Sequence, residues 1–492
     1  MNASLLNLSY LLPEGAVCAT ILLLMLGFIF GMTDRKRLSE VAVLGIVVAL
    51  LLTVVSLAEE TVVAKVQVGN GILQVDQFSQ LMKVLFLLTT LTAVLFSAGS
   101  VEISPRRSME YNCFLLGLLS GTMFLVSAID LMVVYLAFEM ISLSSYVLAG
   151  FTRGDPRSAE AGFKYVIFGA VSSGVMLFGM GLLYGMTGSL NMNEIGSRMT
   201  LGLLPSLHLM LVPIVFILVG VGYKVAFFPF HYWAPDVYEG SPTPVTAMFS
   251  VAPKAAGFAL FLRVLLGTLS VEAVSVMTWL GPLLAVVAAL TMTLGNLAAL
   301  NQENIKRMLA YSAIAHAGYM VMGMAVLNQE GGRAILFYLF AYMFTNLGAF
   351  TVVIALFNLY QTEQVDELAG MGRMFPLAAA CMAVCLFSLT GLPPTAGFIG
   401  KFYLFSAVIH GGYAWLAVVA AINTVISLFY YMRIMKAFYF REPVLGQAGK
   451  DSLPCGYNAL IAGLTVPILF LGLFWSQLIE YCTSSISSLM IH

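Results

Sequence analysis

Near the middle of the chain stands Val219-Gly220-Val221-Gly222-Tyr223-Lys224-Val225-Ala226-Phe227-Phe228-Pro229, a lysine set among apolar residues with a proline just after it. Proline lacks an amide hydrogen and its ring clashes with the preceding turn, so a helix opens there. A second stretch repeats the design: Gly391-Leu392-Pro393-Pro394-Thr395-Ala396-Gly397-Phe398-Ile399-Gly400-Lys401. Both lie inside apolar runs long enough to cross a bilayer, which takes about 20 residues of helix. Non-helical backbone at membrane depth is tolerated only where it is buried in protein or lines a cavity. Paired interruptions in corresponding halves of a chain are the sequence pointer to a transport site.

The composition around these stretches agrees. Of 492 residues, 60% are hydrophobic, 10% are charged and the net charge is -1; the mean hydropathy is +0.95. A soluble protein of this length could not hide that much apolar surface. A solenoid, a disordered chain and a disulfide scaffold are excluded, and the near-neutral balance gives no reason to expect nucleic acid as a partner. Fourteen apolar stretches can be marked, near 11–32, 38–58, 78–98, 110–128, 130–152, 160–187, 205–229, 241–268, 275–299, 303–326, 331–360, 376–410, 413–440 and 456–485. The expected fold is all-α and polytopic, because lipid offers backbone groups no partner and a barrel would show short alternating segments instead. The loops between the stretches are short and leave no room for a soluble domain.

The segment before Pro13 has no Lys or Arg and so lacks the basic region of a cleaved signal peptide. Basic residues then alternate along the chain. Fourteen fall on one side (Arg35, Lys36, Arg37, Arg106, Arg107, Arg153, Arg157, Lys306, Arg307, Arg373, Arg433, Lys436, Arg441 and Lys450), against five on the other (Lys65, Lys83, Arg198, Arg263 and Arg333). The positive-inside rule makes the first set cytoplasmic and puts both termini outside.

Four basic residues remain, and all fall within apolar runs: Lys164, Lys224, Lys254 and Lys401. Among the acids, Glu139 lies well inside a span. His316 and His231 add two titratable rings, one in a span and one at a span end. Lys164, four residues into its stretch, is shallow enough to snorkel to the surface. Lys224, Lys254, Lys401 and Glu139 are too deep for that. A charge near the bilayer centre costs several kcal/mol, so such residues face a wet interior and work.

The halves correspond weakly. Ser145-Tyr146-Val147-Leu148-Ala149-Gly150 in the fifth stretch parallels Gly318-Tyr319-Met320-Val321-Met322-Gly323 in the tenth, and the texture of 165–175 recurs over 337–350. Each block of five spans carries its interrupted member fourth. Five is odd, so consecutive blocks enter from opposite faces as an inverted repeat. The organisation expected is a three-helix segment (1–100), a first five-helix repeat (110–268), a second (275–440) and a C-terminal helix (456–492).

At His231-Tyr232-Trp233-Ala234-Pro235-Asp236-Val237-Tyr238-Glu239-Gly240-Ser241-Pro242-Thr243-Pro244-Val245-Thr246, and on through Ala252-Pro253-Lys254-Ala255-Ala256, the chain resembles the antiporter-like membrane subunits of NADH-quinone oxidoreductase, respiratory complex I. The extension, Lys401 in the second interrupted stretch and the short tail are similar to the N-type branch rather than the L and M branches. The resemblance covers nearly the whole chain. It implies a proton-translocating, non-redox subunit of a bacterial inner-membrane complex, with other membrane subunits and lipids as partners and no cofactor of its own. It implies a charge pair of Glu139 and Lys224, a connecting Lys254, an exit-side Lys401, and auxiliary positions at Lys164 and His316. Asp236 and Glu239, near the aqueous boundary, are expected to cap and fasten a turn.

The residues themselves support this chemistry. Desolvation disfavours a buried ammonium and a nearby carboxylate favours it, so moving charge beside a lysine can load or unload its proton. The expected order is loading at Lys224, transfer through Lys254, bridging by His316 through water, and release at Lys401. The chain has no P-loop and no glycine-rich dinucleotide fingerprint after a strand. Its six cysteines lack iron–sulfur or zinc spacing, and Cys381 and Cys385, on one helix face, are expected to be core thiols. The rival expectations are a multisubunit cation/proton antiporter subunit, a spacer without a path, and a subunit of a related hydrogenase or photosynthetic complex.

Overall fold

The computed structural model describes residues 7–58, 65–200, 209–268, 274–443 and 453–490. The chain is a bundle of helices: α1 (Leu12–Ile29), α2 (Arg35–Leu57), α3 (Gln77–Ser97), α4 (Ser108–Ser127), α5 (Leu131–Ala149), α6 (Pro156–Thr187), α7 (Met192–Thr200), α8 (Leu211–Val225), α9 (Trp233–Gly240), α10 (Thr243–Leu262), α11 (Val274–Ala299), α12 (Ile305–Met324), α13 (Gln329–Tyr360), α14 (Met371–Met374), α15 (Pro376–Thr390), α16 (Ala396–His410), α17 (Ala414–Phe440), α18 (Cys455–Leu473) and α19 (Ser476–Met490). Between α2 and α3 a small antiparallel hairpin, β1 (Val66–Val68) and β2 (Leu73–Val75), closes one end.

Eleven helices among the described residues are long and apolar enough to cross a membrane, and Leu211–Val225, Pro376–Thr390 and Ala396–His410 are shorter apolar helices. The last three belong to the two interrupted spans. Residues 205–208 of the seventh expected stretch, and Lys450, lie outside the described residues. Many helix starts are set by a side chain that accepts from the first free amides: Asp130 for α5, Asp155 for α6, Asn304 for α12 and Asn328 for α13. Asp76 and Ser79 make a reciprocal capping box for α3, satisfying donors that have no partner within the helix.

Position in the bundle follows composition. α10 and α13 are buried along nearly their whole length and form the centre. α1, α2, α6 and α17 bury one face and present Leu, Val and Phe outward, as lipid-facing helices do. Neighbour relations recur between the halves: α4 packs on α5 as α11 packs on α12, and α6 packs on α8 as α13 packs on α15 and α16.

The ends of the bundle differ. Arg35 donates to the carbonyls of Ser97 and Ser100, Arg107 to that of Phe151, and Arg441 pairs with Asp366. These bonds gather the basic loops at one end. The opposite end holds the hairpin and α19.

Two expectations need correction. The last apolar stretch is not one helix over 456–485. Phe474 leaves helical geometry, and α19 is a separate helix rich in Ser and Thr, too polar to cross, lying against α3 and α13. Lys83, grouped with the outer loops and span ends, is wholly buried in α3 and pairs with Glu14 of α1 at 2.6 Å. Glu14 is thus a second acid inside a span. The stretch 231–246, expected as a loop and a helix start, holds a further helix, α9, ahead of that start.

Candidate functional site

The first break begins at the end of α8. Ala226 adopts a left-handed conformation (φ 63°) and stops the helix. The Tyr223 carbonyl accepts from the Ala226 amide at 3.2 Å and from the Trp233 indole at 2.9 Å, and the Tyr223 hydroxyl donates to the Tyr165 carbonyl at 2.9 Å. The Trp233 and Tyr165 rings stack with centroids 4.5 Å apart. Lys224, one residue before the end, is fully buried. Its ammonium donates to Ser142 Oγ at 2.8 Å and lies 4.7 Å above the Phe138 ring, both on α5.

Glu139 sits between those two residues in α5 but does not bond Lys224 directly. Its Oε1 is buried without a hydrogen-bond partner. The two residues sequence reasoning joins as a pair are brought to the same place, with a hydroxyl rather than a carboxylate at the ammonium. Ser142 can fill that place because its own hydrogen goes to the Phe138 carbonyl at 2.9 Å.

Lys254 lies in the buried α10, directly after Pro253. Its ammonium has no hydrogen-bond partner among the described residues and stands 5.7 Å from the centre of the Tyr238 ring. Proline donates nothing, so the Phe249 carbonyl one turn back is unpaired within the helix; the Tyr238 hydroxyl fills that gap at 3.2 Å. One turn after Lys254, Gly257 lets α8 approach. A Cβ there would lie 2.7 Å from Val225 Cγ2 and 3.6 Å from Lys224 Cβ. Lys224 and Lys254 are therefore neighbours across a helix contact.

The second break separates α15 from α16. Gly391 (φ 89°) ends α15. Lys401 reaches back from α16 to donate to the carbonyls of Leu389 at 3.0 Å and Thr390 at 2.9 Å. It lies 4.4 Å above the Tyr319 ring, and the Tyr319 hydroxyl is 3.1 Å from Thr424 Oγ1.

His316 stands between the two lysines on α12. Both ring nitrogens are engaged, Nδ1 with the Tyr338 hydroxyl at 2.6 Å and Nε2 with the Tyr431 hydroxyl at 3.1 Å. The Tyr342 ring packs 5.2 Å away, with its hydroxyl buried and unpartnered. Lys224, Lys254, His316 and Lys401 make a row of buried groups in which Ser142 holds the first, Tyr338 and Tyr431 hold the histidine, and Lys254 has no hydroxyl partner among the described residues.

Lys164 is apart from this row. About a third exposed, it pairs with Glu160 at 2.7 Å and Asp236 at 2.5 Å. Asp236 also accepts from Arg307 at 2.8 Å, and the same guanidinium donates to Glu239 at 2.7 Å. These bonds fasten α6, α9 and α12 at the basic end. Partial burial pushes the Asp236 carboxyl up, but Lys164 and Arg307 outweigh it and hold the group below the usual carboxylate range.

Sequence reasoning missed three buried ion pairs. Lys83–Glu14 is one; Asp76–Arg263, at 3.0 Å, is another; Lys306–Glu363, at 2.8 Å, is the third. Lys83 carried a signal, since it stands six residues into α3. Arg263 and Lys306 carried none, because residues at span ends are ordinarily solvated. His231 is buried in the first break, between α8 and α9, with its ring stacked on Tyr232 at 4.4 Å.

Residues 128–427 match the family described as NADH:quinone oxidoreductase/Mrp antiporter, TM. The chain is 42% identical to NADH-quinone oxidoreductase subunit N of Anaeromyxobacter sp. over 440 residues, 85% of each chain. Its fold is similar to a chain of respiratory complex I from Thermus thermophilus, with 32% identity, a TM-score of 0.77, and 95% and 98% of the two chains covered. It is also similar in fold to a chain of the Mrp complex from Dietzia sp., with 22% identity, a TM-score of 0.85 and 98% of each chain covered.

Proposed function

The chain belongs to the subunit N family of NADH-quinone oxidoreductase, and on that premise we propose that it carries protons across the membrane along the row Lys224, Lys254, His316 and Lys401, with Glu139 modulating the first. It works as a non-redox, proton-translocating subunit of the respiratory complex, beside other membrane subunits. NADH oxidation and quinone reduction occur in those other chains, and this one holds no cofactor. It is a multi-pass protein of a bacterial inner membrane, with its basic end cytoplasmic and both termini outside. The halves 110–268 and 275–440 act as inverted units, each contributing one interrupted helix.

One observation carries the reading. Of the buried lysines, Lys224, Lys254 and Lys401 make no ion pair with an acid among the described residues. A buried charge without a counter-charge is expensive. These ammonium groups are held by a hydroxyl, by helix-end carbonyls or by nothing, so a proton can leave without abandoning a carboxylate. A purely structural lysine would be paired, as Lys83 is with Glu14.

Lys224→Ala should abolish NADH-driven proton pumping in inverted membrane vesicles while the complex still assembles. Normal pumping by that variant would sink the scheme. Lys164→Ala separates two roles for that residue: retained pumping with a less stable complex makes it a fastener, and lost pumping with intact assembly makes it part of the route.

A further inference from the structure

We propose that a groove between α2 and α3, at the basic end of the bundle, holds one molecule of a zwitterionic phospholipid with a primary-amine headgroup, phosphatidylethanolamine. The site lies outside the row of buried lysines. It adds a bound ligand to the chain rather than a step to proton transfer.

α2 has two faces. Ser39, Ala42, Ile46, Ala49 and Thr53 are buried, at spacings of three and four. Leu44, Val48, Leu51 and Val55, on the other side, are exposed. The groove runs along the border between the two faces. Val43, Leu44 and Val47 of α2 form one wall, and Val94, Leu95 and Ala98 at the end of α3 form the other. The cavity is about 590 Å³, within the range of about 300–1,000 Å³ usual for a bound small molecule. From Lys36 to Val47 the helix rises about 16 Å, at roughly 1.5 Å per residue. That is about half of a hydrocarbon core of about 30 Å, the reach of one lipid chain within one leaflet.

The mouth of the groove carries charge of both signs. Asp34, Arg35, Lys36 and Glu40 line it, two acids and two bases that cancel. Arg35 is fixed in place, because its Nη2 donates to the carbonyls of Ser97 and Ser100. A guanidinium has three more N–H donors beyond those two. Lys36 pairs with Glu40 at 4.0 Å, and both side chains are largely exposed, so the pair is too weak to hold the lysine. A phosphate between Arg35 and Lys36 meets one rigid, planar cation and one mobile cation. Asp34 caps α2 through Oδ1, which accepts from the Lys36 amide at 3.3 Å; its second oxygen is left to accept from a lipid ammonium. The acyl chain then lies along the apolar walls. A lipid with a net negative charge would bring its surplus beside Asp34 and Glu40, and a choline headgroup has no N–H to donate. The amine-bearing zwitterion matches both signs.

Photo-crosslinking in the whole complex reads the occupant directly. The complex is reconstituted into vesicles of phosphatidylethanolamine, phosphatidylglycerol and phosphatidylcholine in equal amounts, with identical chains. Leu44, in the groove wall, and Leu51, two turns further on and outside it, are both exposed (66% and 61%). Each is replaced, in separate proteins, by photoreactive benzoylphenylalanine. Mass spectrometry of the adducts at Leu44 should show phosphatidylethanolamine about three- to fivefold over either other lipid, the size of an exposed charge contact. The adducts at Leu51 should follow the vesicle composition. Asp34→Asn keeps a capping side chain but removes the charge, and it should bring the ratio at Leu44 to that at Leu51. Equal ratios at the two positions without that substitution overturn the site. So does an excess of phosphatidylglycerol at Leu44, a preference that survives Asp34→Asn, or an adduct with a neighbouring subunit in place of lipid. The readout is the mass of an adduct, so its outcome is independent of whether Lys224 and Lys401 carry protons.

Discussion

Lys401 and Thr390 stand on opposite sides of the break in the second interrupted span, and the lysine ammonium donates to the threonine carbonyl at 2.9 Å. Leu389 provides a second carbonyl at 3.0 Å. The last carbonyls of a helix have no amide partner within it, and they form the negative end of its dipole. α15 thereby supplies the counter-charge that no acid provides. The first break solves the same problem differently: the Ala226 amide and the Trp233 indole take the Tyr223 carbonyl, and Lys224 turns to Ser142. Two lysines beside breaks, one before its break and one after, are thus held by a hydroxyl in the first half and by a helix end in the second.

That difference makes Lys401 structural as well as chemical. Lys401→Leu leaves two buried carbonyls unpaired and should cost on the order of 1–3 kcal/mol for each group left unsatisfied. Lys401→Gln keeps a donor for them but cannot carry a proton. The expected result is a lower melting temperature of the solubilised complex for the Leu variant only, with proton pumping lost in both. Equal stability of the two variants would show that the carbonyl bonds contribute nothing.

Gly257 sets how closely Lys224 and Lys254 approach. Gly257→Ala places a methyl 2.7 Å from Val225 Cγ2, and overpacking of that kind typically costs about 1–3 kcal/mol. Pumping should fall together with thermal stability as α8 is pushed away. Gly463→Ala, where a Cβ meets nothing within 4 Å, should change neither, and measuring the pair side by side separates the contact from any general effect of losing a glycine.

The breaks were legible in the sequence because proline and glycine act locally: Pro229, Pro393 and Gly391 need no partner to interrupt a helix. The three central lysines were legible for the opposite reason, as polar groups in segments where polarity must be explained. What the sequence hid were pairings between distant segments. Glu14 and Lys83 are 69 positions apart in number, and nothing in either run names the other. Lys306 looked like one more cytoplasmic charge, yet it is buried because α9 and α10 fold over it. The final helix was misjudged because its apolar residues continue past Leu473, while Ser and Thr, which a membrane helix tolerates, hide the change to an amphipathic face.

The buried pair Glu14–Lys83 should behave as a unit. Removing one partner leaves an uncompensated charge in the interior, and such losses run to about 3–5 kcal/mol. Glu14→Gln and Lys83→Met should each lower the yield of assembled complex, read on native gels. The double substitution should recover most of it, since replacing a buried pair with neutral groups is often close to neutral. Failure of the double variant to recover would mean that the charges do more than satisfy one another.

The clamp of Lys164, Asp236 and Arg307 gives a pH dependence with a definite sign. The Asp236 carboxyl lies below its unfolded value, which is near 3.9, because Lys164 and Arg307 outweigh the effect of burial. Its contribution to stability is full above about pH 4 and is lost as pH falls through the folded value. The melting temperature of the complex should drop in that acid window. Asp236→Asn should be less stable at neutral pH and lose less on acidification, so the two melting curves converge at low pH. Parallel curves would exclude Asp236 as the titrating clamp.

Pro253 and Tyr238 form a testable couple next to Lys254. The proline leaves the Phe249 carbonyl without a helical donor, and the Tyr238 hydroxyl supplies one at 3.2 Å. Tyr238→Phe should therefore destabilise by about 1–3 kcal/mol, the cost of a buried group left unpaired. Pro253→Ala restores an amide to the helix and takes over that carbonyl. In the double variant the loss from Tyr238→Phe should largely disappear, giving a coupling that additivity between independent sites would not. The Tyr238 ring remains in both tyrosine-to-phenylalanine variants, so its contact with the Lys254 ammonium is preserved. Thermal melts of the four proteins supply the cycle. Additive effects would mean that the hydroxyl's bond to Phe249 is not what holds α9 against α10.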